Sequence, residues 1–309
     1  MTKLIVFQMD PLETLNLKTD TTLKIAWEAQ KRRCRLFFYT PEALSFYNNR
    51  LYGKGSFFEL NAQGIPFVPG ELEDLPLDEA DIILVRQNPP VNSLYWTNTY
   101  LLELLQSSTR VINCPMGLRT VSEKLFTLRF SDLIPETLIT SDSYEVLKFL
   151  NFHQRVVIKP LYDYGGRGVL LLHHHDPNVQ PLLELYKEHY QEPLMIQRYI
   201  PQVEQGDKRI IMLQGQCVGS YLRQPASQQI RSNLRVGGKA LPVVLNKDDE
   251  KICQTLAPFL EKQGIYLAGL DVIGPYLTEV NVTSPTGFVT LHELYDIDVA
   301  KHFWDGLGI

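Results

Sequence analysis

The chain has 309 residues, 44% hydrophobic and 21% charged, enough for two or three packed units, since single cores stop growing at roughly 250–300 residues. A formal net charge of −5 leaves no broad basic face for a nucleic-acid backbone, so any bound phosphate must be held locally. The apolar run after Lys3 is closed by Asp10, too short for a secretory core and far below the roughly 20 residues of a membrane span, which predicts a cytoplasmic protein with neither a membrane nor a nucleic-acid partner.

In chain order, LIVFQM predicts a strand, TTLKIAWEAQKRR an amphipathic helix, RLFFYT and ADIILVR two more strands, SLYWTNTYLLELLQ a helix and RVINC a strand. Strand and helix in alternation argue for a parallel, Rossmann-like sheet. The stretch from Gly64 to Pro76, with three prolines and two glycines, reads as a connection. Past Pro115 the character changes and a boundary is expected near residue 120. RVVIKPL and VLLLHHH then read as strands joined by YDYGGRG, LLELYKEHY as a helix and LMIQRYI as a strand. KRIIMLQGQCVGSYLR reads as a hairpin, DEKICQTLAPFLEKQG as a helix with a glycine stop, and YLAGLDVIG with YLTEVNV as a second hairpin. The second half is therefore α+β with antiparallel sheets.

Cys34, Cys114, Cys217 and Cys253 are widely spaced with no CxxC pair, which favours thiols over disulfides or a zinc site. His173, His174 and His175 alternate faces on a strand and cannot all converge on a metal, so a solvated strand end is the simpler reading.

Glu279 and Asn281 lie two apart in YLTEVNV and share a strand face, while Asp271 on the preceding strand could come opposite them. Two carboxylates and an amide in an apolar sheet are costly unless a cation compensates them, and hard oxygen donors suit Mg²⁺. A solvated hairpin edge is the bland alternative for the same residues. Lys159 interrupts VVIKPL on the face of Val157, an unusual place for an ammonium unless it meets a ligand. DYGGRG (163–168) has three glycines in four positions and can form an anion-binding nest or simply a tight turn. Neither GxxxxGK[ST] nor GxGxxG after the first strand is present. Arg209 and Arg231 offer planar guanidiniums for carboxylate or phosphate, and the polar run from Gln224 to Gly238 reads as a lid.

These motifs, with MDPLETLNLKTDTT, VRQNPP, SEKLFTLRFSDLIPETL, VIKPL, Gly165-Gly166, GDKR, RSNLRVGG and GLDVIGPYLTEVNVTSPTG, resemble the ATP-grasp ligases and, within them, the bacterial glutathione synthetase family over nearly the whole chain. The resemblance implies a Rossmann-like N-terminal unit (1–121) that binds substrate, followed by an ATP-grasp fold with two antiparallel sheets enclosing the nucleotide: a central subdomain (122–202) and a C-terminal one (203–309) with a lid at 224–238. It implies ATP held by Lys124, Lys159, Gly165, Gly166, Gln197, Arg198, Tyr199, Ile200 and Asp207, with Gln197 to Ile200 as the adenine hinge and Asp207 on the ribose. Asp271, Glu279 and Asn281 match the ligands of two Mg²⁺ ions, for which Mn²⁺ can substitute. Arg209, Arg231 and Asn233 fall at the reacting phosphate and carboxylate, and Arg86, Ser284, Pro285 and Thr286 on the substrate side.

The implied reaction joins γ-glutamylcysteine to glycine through an acyl phosphate, giving glutathione, ADP and phosphate, in a cytoplasmic homotetramer. The chain departs from the family pattern at Asn88, where the family has aspartate, and at Ala226-Ser227-Gln228-Gln229, where it has a glycine pair. The alternatives are a related ATP-grasp ligase acting on another γ-glutamyl peptide or a protein tail, and a non-catalytic nucleotide-binding module. If 224–238 closes over the acyl phosphate, Arg231→Ala should lower turnover far more than it weakens ATP binding. Protease should also cut the free protein at Arg231 or Arg235 and spare the ATP–substrate complex. Equal cutting with and without ligands would leave the segment an ordinary polar loop.

Overall fold

The computed structural model describes residues 2–68, 70–105, 109–225 and 237–309. Its strands are β1 (Leu4–Gln8), β2 (Arg35–Tyr47), β3 (Arg50–Leu60), β4 (Pro66–Phe67), β5 (Glu73–Pro76), β6 (Ile82–Val85), β7 (Arg110–Ile112), β8 (Thr137–Thr140), β9 (Arg155–Pro160), β10 (Leu170–His173), β11 (Leu194–Arg198), β12 (Asp207–Leu213), β13 (Gln216–Gln224), β14 (Lys239–Pro242), β15 (Leu267–Ile273) and β16 (Tyr276–Asn281). Its helices are α1 (Thr21–Lys31), α2 (Ser93–Glu103), α3 (Pro115–Thr120), α4 (Ser143–His153), α5 (Val179–His189), α6 (Lys247–Lys262), α7 (Phe288–Tyr295) and α8 (Val299–Leu307).

The first sheet runs β4-β3-β2-β1-β6-β7, with β5 also paired to β3. Its β2-β1-β6-β7 part is parallel, as the alternation predicts. The rest is not: RLFFYT continues through Pro41 to Tyr47, turns at Asn48 and Asn49 with positive φ, and returns as antiparallel β3. The Gly64–Pro76 stretch likewise contributes short β4 and β5 and is not simply a connection, because β3 leaves an open edge for them to pair. Every residue of β1 is buried, as a parallel strand covered on both faces requires. Ile5 and Phe7 pack towards α1 and α8, while Leu4 and Val6 pack towards the side shared with α6.

A four-stranded sheet β10-β9-β11-β8 and a five-stranded sheet β14-β13-β12-β15-β16 follow, both antiparallel. In the four-stranded sheet Val156, Ile158 and Ile196 pack under α4 and α5. Period-2 alternation turns Val157, Lys159 and Gln197 to the other face. In the five-stranded sheet Ile210, Met212, Leu270, Val272 and Val280 pack with Ile252, Leu256 and Leu260 of α6; on the opposite face Ile211, Leu213 and Leu267 pack with α7 and α8, and the polar residues occupy the rest. Trp304 of α8 donates its indole N–H to the Ile25 carbonyl of α1 at 2.9 Å, fastening the C-terminus to the first sheet's helical layer. All four cysteines are free, and His173 is an exposed strand end. No helix among the described residues is long and apolar enough to cross a membrane.

Candidate functional site

The polar face of the five-stranded sheet is organised by register. Arg209 of β12 sits opposite Asp271 of β15, which sits opposite Glu279 of β16, so three charged groups form one row across three strands. The next row pairs Asp207 with Arg223, and on the other side Gly269 lies opposite Asn281. A bulge at Thr278 makes this possible: one extra residue shifts the register, so that Leu277, Val280 and Val282 are all fully buried while Glu279 and Asn281 share the polar face. Gly269 leaves room for the Arg209 guanidinium, which a Cβ there would approach to 3.0 Å.

Asp271 is buried at 5% exposure. Its carboxylate accepts from Arg209 Nε at 2.6 Å and Nη2 at 3.2 Å, and Arg223 Nη2 lies 2.9 Å from Oδ2. Burial alone pushes this carboxyl up, but the Arg209 and Arg223 charges more than offset it and hold it below the usual carboxylate range. Arg223 also donates to Asp207, with Nε at 2.9 Å; although burial opposes its charge, the two aspartates keep its pKa well above the ordinary value. Arg223 was not singled out from the sequence. Its signal was present, since Asp207 and Arg223 are mirror positions about the hairpin turn at Gln214-Gly215.

Between the two antiparallel sheets lies a cleft that opens to solvent. Lys124, Lys159, Gly165, Gly166, Gln197, Arg198, Tyr199, Ile200, Asp207, Asp271 and Glu279 all border it. Lys124 Nζ donates to the Asp163 carbonyl at 2.5 Å and lies 3.2 Å from Glu279 Oε1. Lys159 Nζ donates to Gln197 Oε1 at 2.6 Å, and Gln197 Nε2 donates to Thr137 Oγ1 at 3.0 Å. The buried Gln197 side chain therefore orients Lys159. Burial lowers the Lys159 pKa to about 8. Arg198 reaches across to Glu136 at 3.1 Å and the Tyr276 hydroxyl at 2.9 Å, and the Tyr199 ring lies under Arg155.

A second cavity adjoins the first and shares Tyr164, Gly165 and Glu279 with it; Arg209, Arg223, Asn281, Ser284, Pro285 and Thr286 also border it. Glu123, also missed from the sequence, accepts there from the Thr283 hydroxyl at 3.0 Å. Burial and then Glu279 push its carboxyl up. Ser284 donates to Asn88 Oδ1 at 2.9 Å, and Asn88 Nδ2 donates to Asp10 at 2.5 Å, so Asn88 bridges the first sheet to the loop after β16.

Arg86 is placed differently from the other named residues. It borders none of these cavities but lies behind that loop, donating to Thr22 Oγ1 and the Pro285 carbonyl, each at 3.1 Å, and burial lowers its pKa to about 10. Arg231, Asn233 and most of the 224–238 lid lie outside the described residues; β13 and β14, which flank the segment, pair Gln224 with Lys239.

Glu279 and Asn281 bring hard oxygen donors of the kind a divalent cation takes to one face, and Asp271 beside them has both carboxylate oxygens engaged by Arg209 and Arg223. Asn281 Nδ2 donates to the Gly269 carbonyl at 3.1 Å, which leaves its Oδ1 for the cavity.

Residues 4–119 match the model of the prokaryotic glutathione synthetase N-terminal domain, and residues 123–296 that of the prokaryotic glutathione synthetase ATP-grasp domain. The chain is 40% identical over 304 residues to a glutathione synthetase of Mesorhizobium japonicum, covering 98% of this chain and 97% of that one. It is 37% identical over 310 residues to one of Gloeobacter violaceus, covering 98% and 96%. Among solved structures, D-cycloserine synthetase DcsG superposes with a TM-score of 0.67 at 11% identity over 97% of this chain and 99% of that one. A Chryseobacterium gregarium RiPP-associated ATP-grasp ligase in complex with ADP and a leader and core peptide superposes at 0.65 and 14% identity, over 99% and 96%. At such identities the likeness is one of fold. Fold and family matches together make the protein an ATP-dependent ligase of the ATP-grasp class. More narrowly, the chain belongs to the prokaryotic glutathione synthetase family, whose two domain models span it almost from end to end.

Proposed function

We propose that the protein joins γ-glutamylcysteine to glycine at the boundary of the two cavities, with ATP in the cleft between the sheets. The observation that carries this is Glu279, which borders both cavities and continues the Arg209–Asp271 row. The peptide carboxylate attacks the γ-phosphorus of ATP and ADP leaves; the glycine amine then attacks the acyl-phosphate carbonyl, and the tetrahedral oxyanion collapses with loss of phosphate. Lys124 and Lys159 neutralise the nucleotide phosphates, while Arg209, with Arg223 beside it, stabilises charge that develops on the carboxylate side. Asp271, Glu279 and Asn281 would hold Mg²⁺, two ions by family resemblance. Bound there, Mg²⁺ would supply charge neutralisation of the phosphates.

Mass detection of glutathione and ADP from ATP, Mg²⁺, γ-glutamylcysteine and glycine tests the reading. Product only from another γ-glutamyl peptide or acceptor in a panel would move it to a related ligase, and no ADP with any acceptor would make the chain a binding module. Arg86→Ala should raise the KM of peptide and glycine about tenfold through the freed Pro285 loop, at a loss near one charged hydrogen bond, and leave that of ATP alone. An equal rise in all three would place Arg86 in general stability instead.

The division into 1–121, 122–202 and 203–309 is supported by one complete sheet falling in each part. A cytoplasmic homotetramer is proposed from family resemblance, with the exposed Ile65, Phe67 and Leu72 beside edge strand β4 offering apolar area. Light scattering after gel filtration reads the assembly directly.

A further inference from the structure

The glycine loop of residues 162–168 borders both cavities, and three of its residues, Gly165, Gly166 and Gly168, are glycines at positive φ, whose lack of a Cβ leaves the backbone few constraints of its own. It is held from outside the cleft. On α5 the Tyr186 hydroxyl donates to the Gly168 carbonyl at 2.7 Å, and Tyr190, which caps the same helix, donates to Asp163 Oδ2 at 2.8 Å. The two rings are one turn apart with centroids at 5.5 Å, so one helix face secures both ends of the loop. Asp163 is gripped twice, since its carbonyl also accepts from Lys124. Gly168 suits this arrangement sterically as well, because a Cβ would stand 2.6 Å from the Tyr190 hydroxyl and from Pro160 Cγ.

We propose that Tyr186 and Tyr190 are a clamp that sets the position of the glycine loop over the nucleotide phosphates, and so are positioning residues for ATP; this rests on reading the cleft as the nucleotide site. Burial, and at Tyr190 also Asp163, pushes both phenols up to about 12, so both remain donors throughout the working pH range.

The test is steady-state kinetics of Tyr186→Phe, Tyr190→Phe and the double variant on the full chain, with ATP binding by calorimetry. Each phenylalanine keeps the ring and removes one hydroxyl, so the KM and Kd for ATP should rise about fivefold to tenfold, the net worth of one hydrogen bond. The KM values for γ-glutamylcysteine and glycine should stay within about twofold, and Asp163→Ala added to Tyr190→Phe should bring no further loss in ATP affinity, because both remove the same bond. Unchanged ATP affinity in both tyrosine variants, or a parallel rise in all three KM values with a lower Tm, would overturn the clamp. Wild-type protein that binds no ATP would overturn the nucleotide reading itself, and the clamp with it.

Discussion

Asp271→Asn is expected to abolish turnover and to destabilise the protein by about 3–5 kcal/mol, the cost of breaking a buried ion pair by removing one partner. From the sequence alone an amide of equal volume would leave the fold intact. The structure alters that expectation, because Asp271 is the shared counter-ion of two buried guanidiniums, Arg209 and Arg223. Glu279→Gln separates the two effects. Its side chain is 23% exposed and pairs with Lys124 at 3.2 Å, so it should lose Mg²⁺-dependent turnover with little change in thermal stability. Near-normal activity of Glu279→Gln at limiting Mg²⁺ would remove it from the cation site. The Asp271 carboxyl also carries a pH signature: its folded pKa is depressed, so its contribution to stability is complete above the unfolded value of about 3.9 and is lost as pH falls through the lower folded value. Thermal melts of wild type and Asp271→Asn across acidic pH should therefore converge at the low end.

Lys159→Met is expected to weaken ATP binding by at least tenfold, about 1.4 kcal/mol, without a large loss of stability. Methionine keeps an unbranched stem and removes an ammonium whose burial already depresses its pKa to about 8; the cost to the fold is the hydrogen bond to Gln197, worth about 1 kcal/mol. The same depressed pKa makes binding pH-dependent. Phosphate favours the charged lysine, so the bound pKa lies above 8. Binding takes up a proton in that window, and apparent ATP affinity falls as pH rises through it. Calorimetry at pH 8.5 in two buffers of different ionisation enthalpy would show the uptake, and Lys159→Met should abolish it. Stability runs the other way: between pH 8 and the ordinary lysine value of 10.5 the unfolded chain binds more protons, so this group's contribution to folding rises with pH. ATP affinity unchanged by the substitution would remove Lys159 from the phosphate site.

What was legible in the sequence was legible for local reasons. YLTEVNV after a glycine turn can only fold back on YLAGLDVIG, which puts Glu279 within reach of Asp271; the Thr278 bulge then tunes which side chains share a face. The lysine that interrupts the apolar run of RVVIKPL marks the cleft because strand alternation turns it to the face opposite the core residues Val156 and Ile158. Arg223 is as local as these, mirrored on Asp207 across one hairpin, but an arginine near a strand end carries no signal in the sequence until its partner is buried.

Composition and pattern determined by themselves the parallel start of the first sheet, the antiparallel character of the second half, and the hairpin that brings Glu279 opposite Asp271, because each depends on periodicity or on residues close along the chain. Tertiary structure alone decided the rest: that Arg86 lies behind the Pro285 loop, that Gln197 orients Lys159, that Tyr186 and Tyr190 hold the glycine loop, and that α8 packs its Trp304 on α1, 279 residues away along the chain. These contacts join segments whose local patterns carry no record of one another. They form only when hydrophobic faces of separate sheets and helices are buried together and the polar groups caught between them must find partners.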